Sequence, residues 1–97
     1  MASQQTSAPT VRTTTPTLDE ITATVRQFIV RISGRPGIQD DRPLISDGVL
    51  DSVAAVQMVD FVERTFSIEV VDEDLELVNF DSVQGLATLV DRKLGTS

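Results

Sequence analysis

The sequence predicts an all-α fold: a small bundle of three main helices plus one short helix, with a long loop between helices 1 and 2. Three segments carry apolar residues at the spacing of a helix that buries one face. The β-prone run SIEVV, residues 67–71, has five residues and no evident partner strand. We therefore interpret it as an extended connector whose Ile68 and Val70 face inward.

The first helix is predicted to begin after Thr17 and to end near Ser33 and Gly34. Thr17 and Glu20 have the spacing of a capping box. Residues 1–16 are rich in Thr, Ser and Pro, and we expect them to be a disordered tail before a domain at 17–97. The apolar residues at helical spacing are Leu18, Ile21, Val25, Phe28, Ile29 and Ile32.

The remaining elements follow a long loop at 33–49, which contains three Gly and two Pro. A second helix is predicted at about Ser52 to Phe66, a short one at about Asp72 to Leu77, and the last at about Ser82 to Leu94. We expect four apolar residues to hold the loop against the core: Leu44, Ile45, Val49 and Leu50.

Composition excludes several classes of function. The chain has 97 residues, enough for one domain, and contains no Cys and no His. Disulfides, thiolate nucleophiles, Ser-His-Asp triads and the usual zinc ligand sets are therefore excluded. No apolar run approaches the ~20 residues of a membrane helix, and no signal core is evident, so we expect a cytoplasmic protein.

The net charge of −7 lies in the second half of the chain. Residues 1–50 contain five Arg and five acids, whereas residues 51–97 contain three basic residues and ten acids. An acidic half disfavours nucleic acid and anionic lipid and favours a partner with a basic surface. The alternative is an acidic surface that serves only solubility.

The tripeptide Asp-Ser-Val occurs twice, at 51–53 and at 81–83, each time before an apolar periodic segment. In both copies an ordinary helix start is the first interpretation. For the second copy, Asp81 and Gln84 form a D-x-x-Q capping box that accounts for the motif, so Ser82 needs no functional role.

The first copy has an additional feature, because its helix is predicted to carry apolar residues outside the core face. Val53, Gln57, Asp60 and Arg64 fall opposite that face, with Val56 and Glu63 near the direction of Ser52. Ser52 stands at the positive end of a helix, a position that suits a phosphate group. The predicted core face contains Ala55, Met58, Val59, Val62 and Phe66.

The stretch DGVLDSVAAVQMVDFVERTFSIEVVDEDL, followed by NFDSVQGLATLV, resembles an acyl carrier protein over about residues 17–95. The resemblance lies in the order of the parts: a first helix, a long loop, Asp-Ser-hydrophobic opening the second helix, and a last helix entered through Ser-Val. It implies that Ser52 carries a 4′-phosphopantetheine arm derived from coenzyme A. It also implies that Asp51 helps the modifying transferase hold its metal and cofactor.

The resemblance further implies a non-catalytic, monomeric carrier that holds an acyl or aminoacyl group as a thioester. Its partners would be a phosphopantetheinyl transferase, an acyltransferase or adenylating enzyme that loads it, and a ketosynthase or other downstream synthase, with no nucleic acid or membrane. The second helix would be the docking surface, with acids nearby that steer basic partners. The implied partner contacts are Asp47, Val53, Val56, Gln57, Asp60, Glu63, Asp72, Glu73, Asp74 and Glu76. For the four acids at 72–76, the alternative is a first-turn role in the short helix.

Departures from the fatty-acid carrier pattern point to another pathway. Val53 replaces the usual Leu, Ala54 and Gln57 stand where acids are common, and Arg64 interrupts the acidic run. The chain is more similar to stand-alone carriers of polyketide or mixed peptide pathways, which receive an aminoacyl starter or an unusual extender unit such as an alkoxymalonyl group.

Two other functions compete with the carrier hypothesis. One is an unmodified acidic interaction module in which Ser52 is only an N-cap. The other is a hydrolase using Ser52, whose activating base would have to be a carboxylate or Lys93. Calcium binding by residues 72–81 is disfavoured because the loop lacks the Gly that an EF-hand requires at its sixth position.

Overall fold

A computed structural model describes residues 15–95 of the chain. It confirms the all-α prediction, with three helices: α1 (Leu18–Ser33), α2 (Ser52–Phe66) and α3 (Val83–Gly95). Within residues 15–95 there is no β-strand, and no helix is both long enough and apolar enough to cross a bilayer. The predicted tail lies outside the described residues, except for its last two positions.

Helix α1 begins and ends as its sequence predicts. The Thr17 hydroxyl accepts a hydrogen bond from the Glu20 backbone N–H at 3.2 Å, and the Glu20 carboxylate accepts one from the Thr17 N–H at 2.8 Å. This capping box satisfies two of the free donors of the first turn. The helix ends at Gly34, whose φ of 71° is the left-handed conformation that glycine adopts without strain.

The hydrophobic core lies between the three helices, and α3 packs mainly against α1. It also includes Leu44 and Leu50 from the long loop, which are buried, with Ile45 and Val49 packed against them. The prediction that these residues hold the loop is confirmed. Leu18, at the start of the predicted apolar stripe of α1, is exposed instead. The fully buried large side chains are Ile21, Val25, Ile29, Leu44, Met58, Val62, Val83, Leu86, Leu89 and Val90.

The core face of α2 is rotated relative to the predicted one. Ala54, Met58 and Val62, spaced four residues apart, are its buried residues. The predicted Ala55 and Val59 are half-buried, as is Phe66. The prediction missed Ala54 because apolar residues extend around the helix to Val53 and Val56, so the pattern does not decide which of the adjacent Ala54 and Ala55 faces the core.

The segment between α2 and α3 corrects the predicted short helix. Ser67 ends α2 in the left-handed conformation, with φ 56°, and residues 68–71 form neither helix nor strand. Ile68 and Val70 pack against the core as predicted. Residues 72–77 do not form one α-helix. They contribute instead to two 3₁₀ turns, Asp72–Asp74 and Leu77–Asn79.

A side chain accounts for this difference. The buried Asn79 amide donates to the Asp74 carbonyl at 2.8 Å. An α-helix would pair that carbonyl with the N–H of Val78, so the side chain competes directly with α-helix formation.

Candidate functional site

Ser52 is the first residue of α2, and its side chain is exposed. Asp51, not Ser52, caps the helix: its Oδ1 accepts a hydrogen bond from the Ala54 N–H at 2.9 Å. No hydrogen bond joins the Ser52 hydroxyl to another residue in the part of the chain that the structure describes. The N-cap of α2 is therefore Asp51 and not Ser52, and the Ser52 oxygen is open to solvent at the positive end of a 15-residue helix.

The second Asp-Ser-Val copy divides its roles in the opposite way. The Ser82 hydroxyl accepts a hydrogen bond from the Gly85 N–H at 2.9 Å, so serine is the N-cap of α3. The predicted capping box of Asp81 and Gln84 is wrong. The Gln84 N–H donates instead to the Asp40 carbonyl of the long loop, at 2.8 Å. Ser82 thus has a structural role that Ser52 lacks.

The Asp81 carboxylate binds the loop that leads to Ser52. Its Oδ1 accepts hydrogen bonds from the backbone N–H groups of Ile45 at 2.7 Å and Ser46 at 2.8 Å. Its Oδ2 accepts one from the Ser46 hydroxyl at 2.6 Å. Burial raises the pKa of Asp81, but these hydrogen bonds to the charged form outweigh it and hold the pKa below its ordinary value.

The loop residues between Leu44 and Leu50 form a closed turn directly before the site. The Leu50 N–H donates to the Leu44 carbonyl at 3.0 Å, and the Gly48 N–H donates to the Ile45 carbonyl at 3.1 Å. Gly48 has a φ of 73°, a conformation that favours glycine. Since both ends of the turn are buried, the backbone entering Asp51 is fixed on the core side.

The outer face of α2 presents apolar side chains to solvent beside Ser52. Val53 is 66% exposed and Val56 is 68% exposed, so neither contributes to the core. Gln57 and Asp60 are also exposed, and the Asp60 carboxylate pairs with Arg64 at 3.0 Å. These four residues lie outside the core, as predicted, with polar and apolar groups side by side on the free surface of the helix.

An apolar groove between α1 and α2 continues this face. The rings of Phe28 and Phe61 are stacked with centroids 4.1 Å apart, and both are half-buried. Sequence reasoning did not include Phe61 in the site. Phe61 could have been recognised in the sequence as an aromatic residue that lies outside the predicted core face of α2. The groove is lined by Phe28, Ile32, Val56, Gln57, Asp60, Phe61, Arg64 and Thr65.

Several predicted partner-binding acids are engaged within the fold. The Glu63 carboxylate accepts a hydrogen bond from the Val70 N–H at 2.9 Å and so fixes the connector after α2. Asp47 pairs with Arg42 at 3.3 Å near the turn before Ser52.

Asp74 is also held by internal contacts. Its carboxylate lies 2.7 Å from the Lys93 ammonium, with only 13% of the side chain exposed, and accepts a hydrogen bond from the Val71 N–H at 3.0 Å. These contacts favour the structural alternative for Asp74. Asp72, Glu73 and Glu76 remain exposed to solvent.

Comparison with known proteins finds no family model that matches the chain and no match among curated proteins.

Proposed function

We propose that this chain is an acyl carrier protein whose Ser52 receives a 4′-phosphopantetheine arm. The observation that supports the proposal most strongly is the division of roles at the start of α2. Asp51 supplies the cap, and the Ser52 oxygen is left exposed without a hydrogen-bond partner among residues 15–95. A helix start that needed only a cap would not require a hydroxyl next to the capping carboxylate.

The residues around Ser52 fit a phosphate-linked arm. In the modification, the Ser52 oxygen forms a P–O bond to the phosphate of the arm. The phosphoanhydride bond to the nucleotide part of coenzyme A breaks, and the serine proton passes to a base of the transferase. The phosphodiester would then lie at the N-terminus of α2, where the helix dipole favours an anion. When bound, the arm supplies a thiol that holds an acyl group as a thioester.

The outer face of α2 is the proposed docking surface. It combines exposed Val53 and Val56 with Gln57 and Asp60, directly beside the modified serine. Apolar contacts would supply binding energy, and the acid would orient a basic partner. The proposed partners are a phosphopantetheinyl transferase, a loading enzyme and a downstream synthase of a polyketide or mixed peptide pathway.

The second candidate function is an unmodified acidic interaction module. It is favoured by a second exposed surface, in which Leu75, Leu77 and Val78 lie beside Glu73 and Glu76. Such a mixture of acids and apolar side chains fits a basic partner surface without any prosthetic group. The two candidates differ in whether coenzyme A is consumed.

A mass measurement separates the two candidates. The chain is incubated with a phosphopantetheinyl transferase of broad specificity and coenzyme A, and its intact mass is recorded. The carrier proposal predicts the gain of one phosphopantetheine group in the unmutated chain and in Ser82→Ala, and no gain in Ser52→Ala. An unchanged mass for the unmutated chain would favour the interaction module.

A further inference from the structure

The Asp81 carboxylate links the start of α3 to the loop that presents Ser52. It accepts three hydrogen bonds from Ile45 and Ser46, at 2.6–2.8 Å, across 35 or 36 positions of sequence. The Asp81 backbone carbonyl adds a fourth, from the Leu44 N–H at 2.6 Å. One residue therefore binds three consecutive residues of the loop through both its side chain and its backbone.

The bound residues belong to the closed turn that ends at Asp51. The Leu44 carbonyl accepts from the Leu50 N–H, so fixing Leu44 also fixes the residue that precedes Asp51. Because Leu44 and Leu50 are buried, the turn cannot shift without moving core side chains. The direction in which α2 begins, and hence the position of the Ser52 oxygen, depends on this turn.

We propose that Asp81 is a positioning residue for the modification of Ser52. This inference rests on the proposed carrier function, and assigns the aspartate of the second Asp-Ser-Val copy a role at the serine of the first. Asp81 does not touch the reacting atoms. It holds the turn at 44–50, so that the Ser52 hydroxyl is presented to a transferase in one orientation and not in several.

Two substitutions at Asp81 separate its hydrogen bonds from its charge. Asp81→Ala removes the three hydrogen bonds of the carboxylate. In Asp81→Asn the amide oxygen still accepts from both N–H groups, while the amide nitrogen donates to the Ser46 oxygen. The asparagine variant therefore keeps the three side-chain hydrogen bonds to Ile45 and Ser46 and loses only the negative charge.

A matched control is available in the same loop. Asp40 forms a bidentate ion pair with Arg26, at 2.8 and 2.7 Å, which ties an earlier part of the loop to α1. Asp40→Ala removes a carboxylate that binds the loop but leaves the turn at 44–50 and its contacts with Asp81 in place.

The experiment measures kcat/KM for phosphopantetheine transfer to each full-length chain, well below its melting temperature, with folding checked by circular dichroism. We expect Asp81→Ala to lower kcat/KM at least about fivefold, and Asp81→Asn and Asp40→Ala to stay within about twofold of the unmutated chain. A merely structural role would lower the melting temperature of Asp81→Ala without changing transfer to the folded chain. Ser46→Ala, which removes one hydrogen bond, is expected to slow transfer about twofold to threefold and serves as the test if Asp81→Ala does not fold.

Each contrary outcome identifies what fails. No transfer to the unmutated chain would overturn the carrier function itself. If the unmutated chain is modified, a kcat/KM for folded Asp81→Ala equal to that of the unmutated chain would overturn the positioning role. If Asp81→Ala does not fold, a kcat/KM for Ser46→Ala equal to that of the unmutated chain would overturn it. Loss of transfer in Asp81→Asn as large as in Asp81→Ala would mean that charge is what matters. An equal loss in Asp40→Ala would mean a general loosening of the loop. Either of these results would also overturn it.

Discussion

Gly85, in the first turn of α3, lies so close to the backbone carbonyl of Val78 that no β-carbon fits between them. The contact joins α3 to the second 3₁₀ turn, and the intervening Phe80 is buried. A backbone carbonyl cannot rotate away as a flexible side chain can. The glycine is therefore required here by close approach and not by its own backbone angles.

Gly85→Ala is expected to destabilise the fold. Alanine gains up to about 1 kcal/mol in helix propensity, but overpacking costs about 1–3 kcal/mol, so we expect a net loss of about 1 kcal/mol. Urea unfolding measures it. Gly95→Ala is the matched control, because nothing lies near a β-carbon at the end of α3. Equal stability of Gly85→Ala and the unmutated chain would show that the two segments separate easily.

Substitution of Asp51 distinguishes its cap from its proposed role in modification. Asp51→Ala loses the hydrogen bond from the Ala54 N–H and is expected to cost about 1 kcal/mol of stability. Asp51→Asn retains an acceptor for that bond, so we expect near-normal stability but slow phosphopantetheine transfer. Thermal unfolding and transfer kinetics on the same samples provide the comparison. Normal transfer to Asp51→Asn would reduce Asp51 to a helix cap.

Val56 and Met58 lie on opposite sides of α2 and test the assignment of its faces. Val56→Ala is expected to change stability by less than about 0.5 kcal/mol, because the side chain is largely exposed. Met58→Ala removes a fully buried side chain and is expected to cost about 2–5 kcal/mol. Acyl transfer from a cognate loading enzyme should fall in Val56→Ala. A drop in the melting temperature of Val56→Ala comparable to that of Met58→Ala would place Val56 in the core.

Charge reversal at Asp60 tests electrostatic docking. Asp60→Arg removes an exposed acid from the docking face and is expected to reduce kcat/KM for loading, most strongly at low salt. Asp91→Arg makes the same change in net charge on the exposed surface of α3 and is expected to have little effect. Asp60 is a better position than Glu63, whose carboxylate holds the Val70 N–H. Equal effects of the two reversals would mean that net charge alone governs association.

Stability should fall in acid because three carboxylates have lowered pKa values. A hydrogen bond from Arg26 lowers the pKa of Asp40, and one from Lys93 lowers the pKa of Asp74. Asp81 is the third, since its hydrogen bonds outweigh its burial. Each value lies below the 3.8 expected for an unperturbed Asp. Each carboxylate therefore contributes fully to the stability of the fold above the unfolded-state pKa. This contribution is lost as pH falls through the folded-state pKa.

The measurement for this pH dependence is the urea midpoint between about pH 6 and pH 2.5. The urea midpoint of the unmutated chain should be nearly constant down to about pH 5 and then fall steeply. Asp81→Asn, which cannot titrate at this position, should lose less stability over the same range. Identical acid-induced losses in the two chains would contradict the assignment to Asp81.

Local signals accounted for much of the fold. The capping box of Thr17 and Glu20 fixed the start of α1, and Gly34 its end, because these contacts lie within one turn of sequence. The opening of α2 at Ser52 was predicted for the same reason. The rotated core face of α2 was not predicted, since the apolar pattern does not decide which of the adjacent Ala54 and Ala55 faces the core.

The roles within the two Asp-Ser-Val copies could not be predicted from sequence. The capping rules allow either Asp or Ser to cap, so the two copies look equivalent. What separates them is a contact between Asp81 and residues 45–46, which exists only after the loop has packed against α3. The predicted short α-helix does not form for a similar reason. The Asn79 side-chain amide donates a hydrogen bond to the Asp74 carbonyl, which an α-helix would pair with a backbone N–H.

The most direct test of the central claim is the position of the modification in the unmutated chain. After treatment with a phosphopantetheinyl transferase and coenzyme A, the protein is digested and its peptides are fragmented in a mass spectrometer. We predict a single phosphopantetheine group on Ser52. A group on any other residue, or no group at all, would contradict the account.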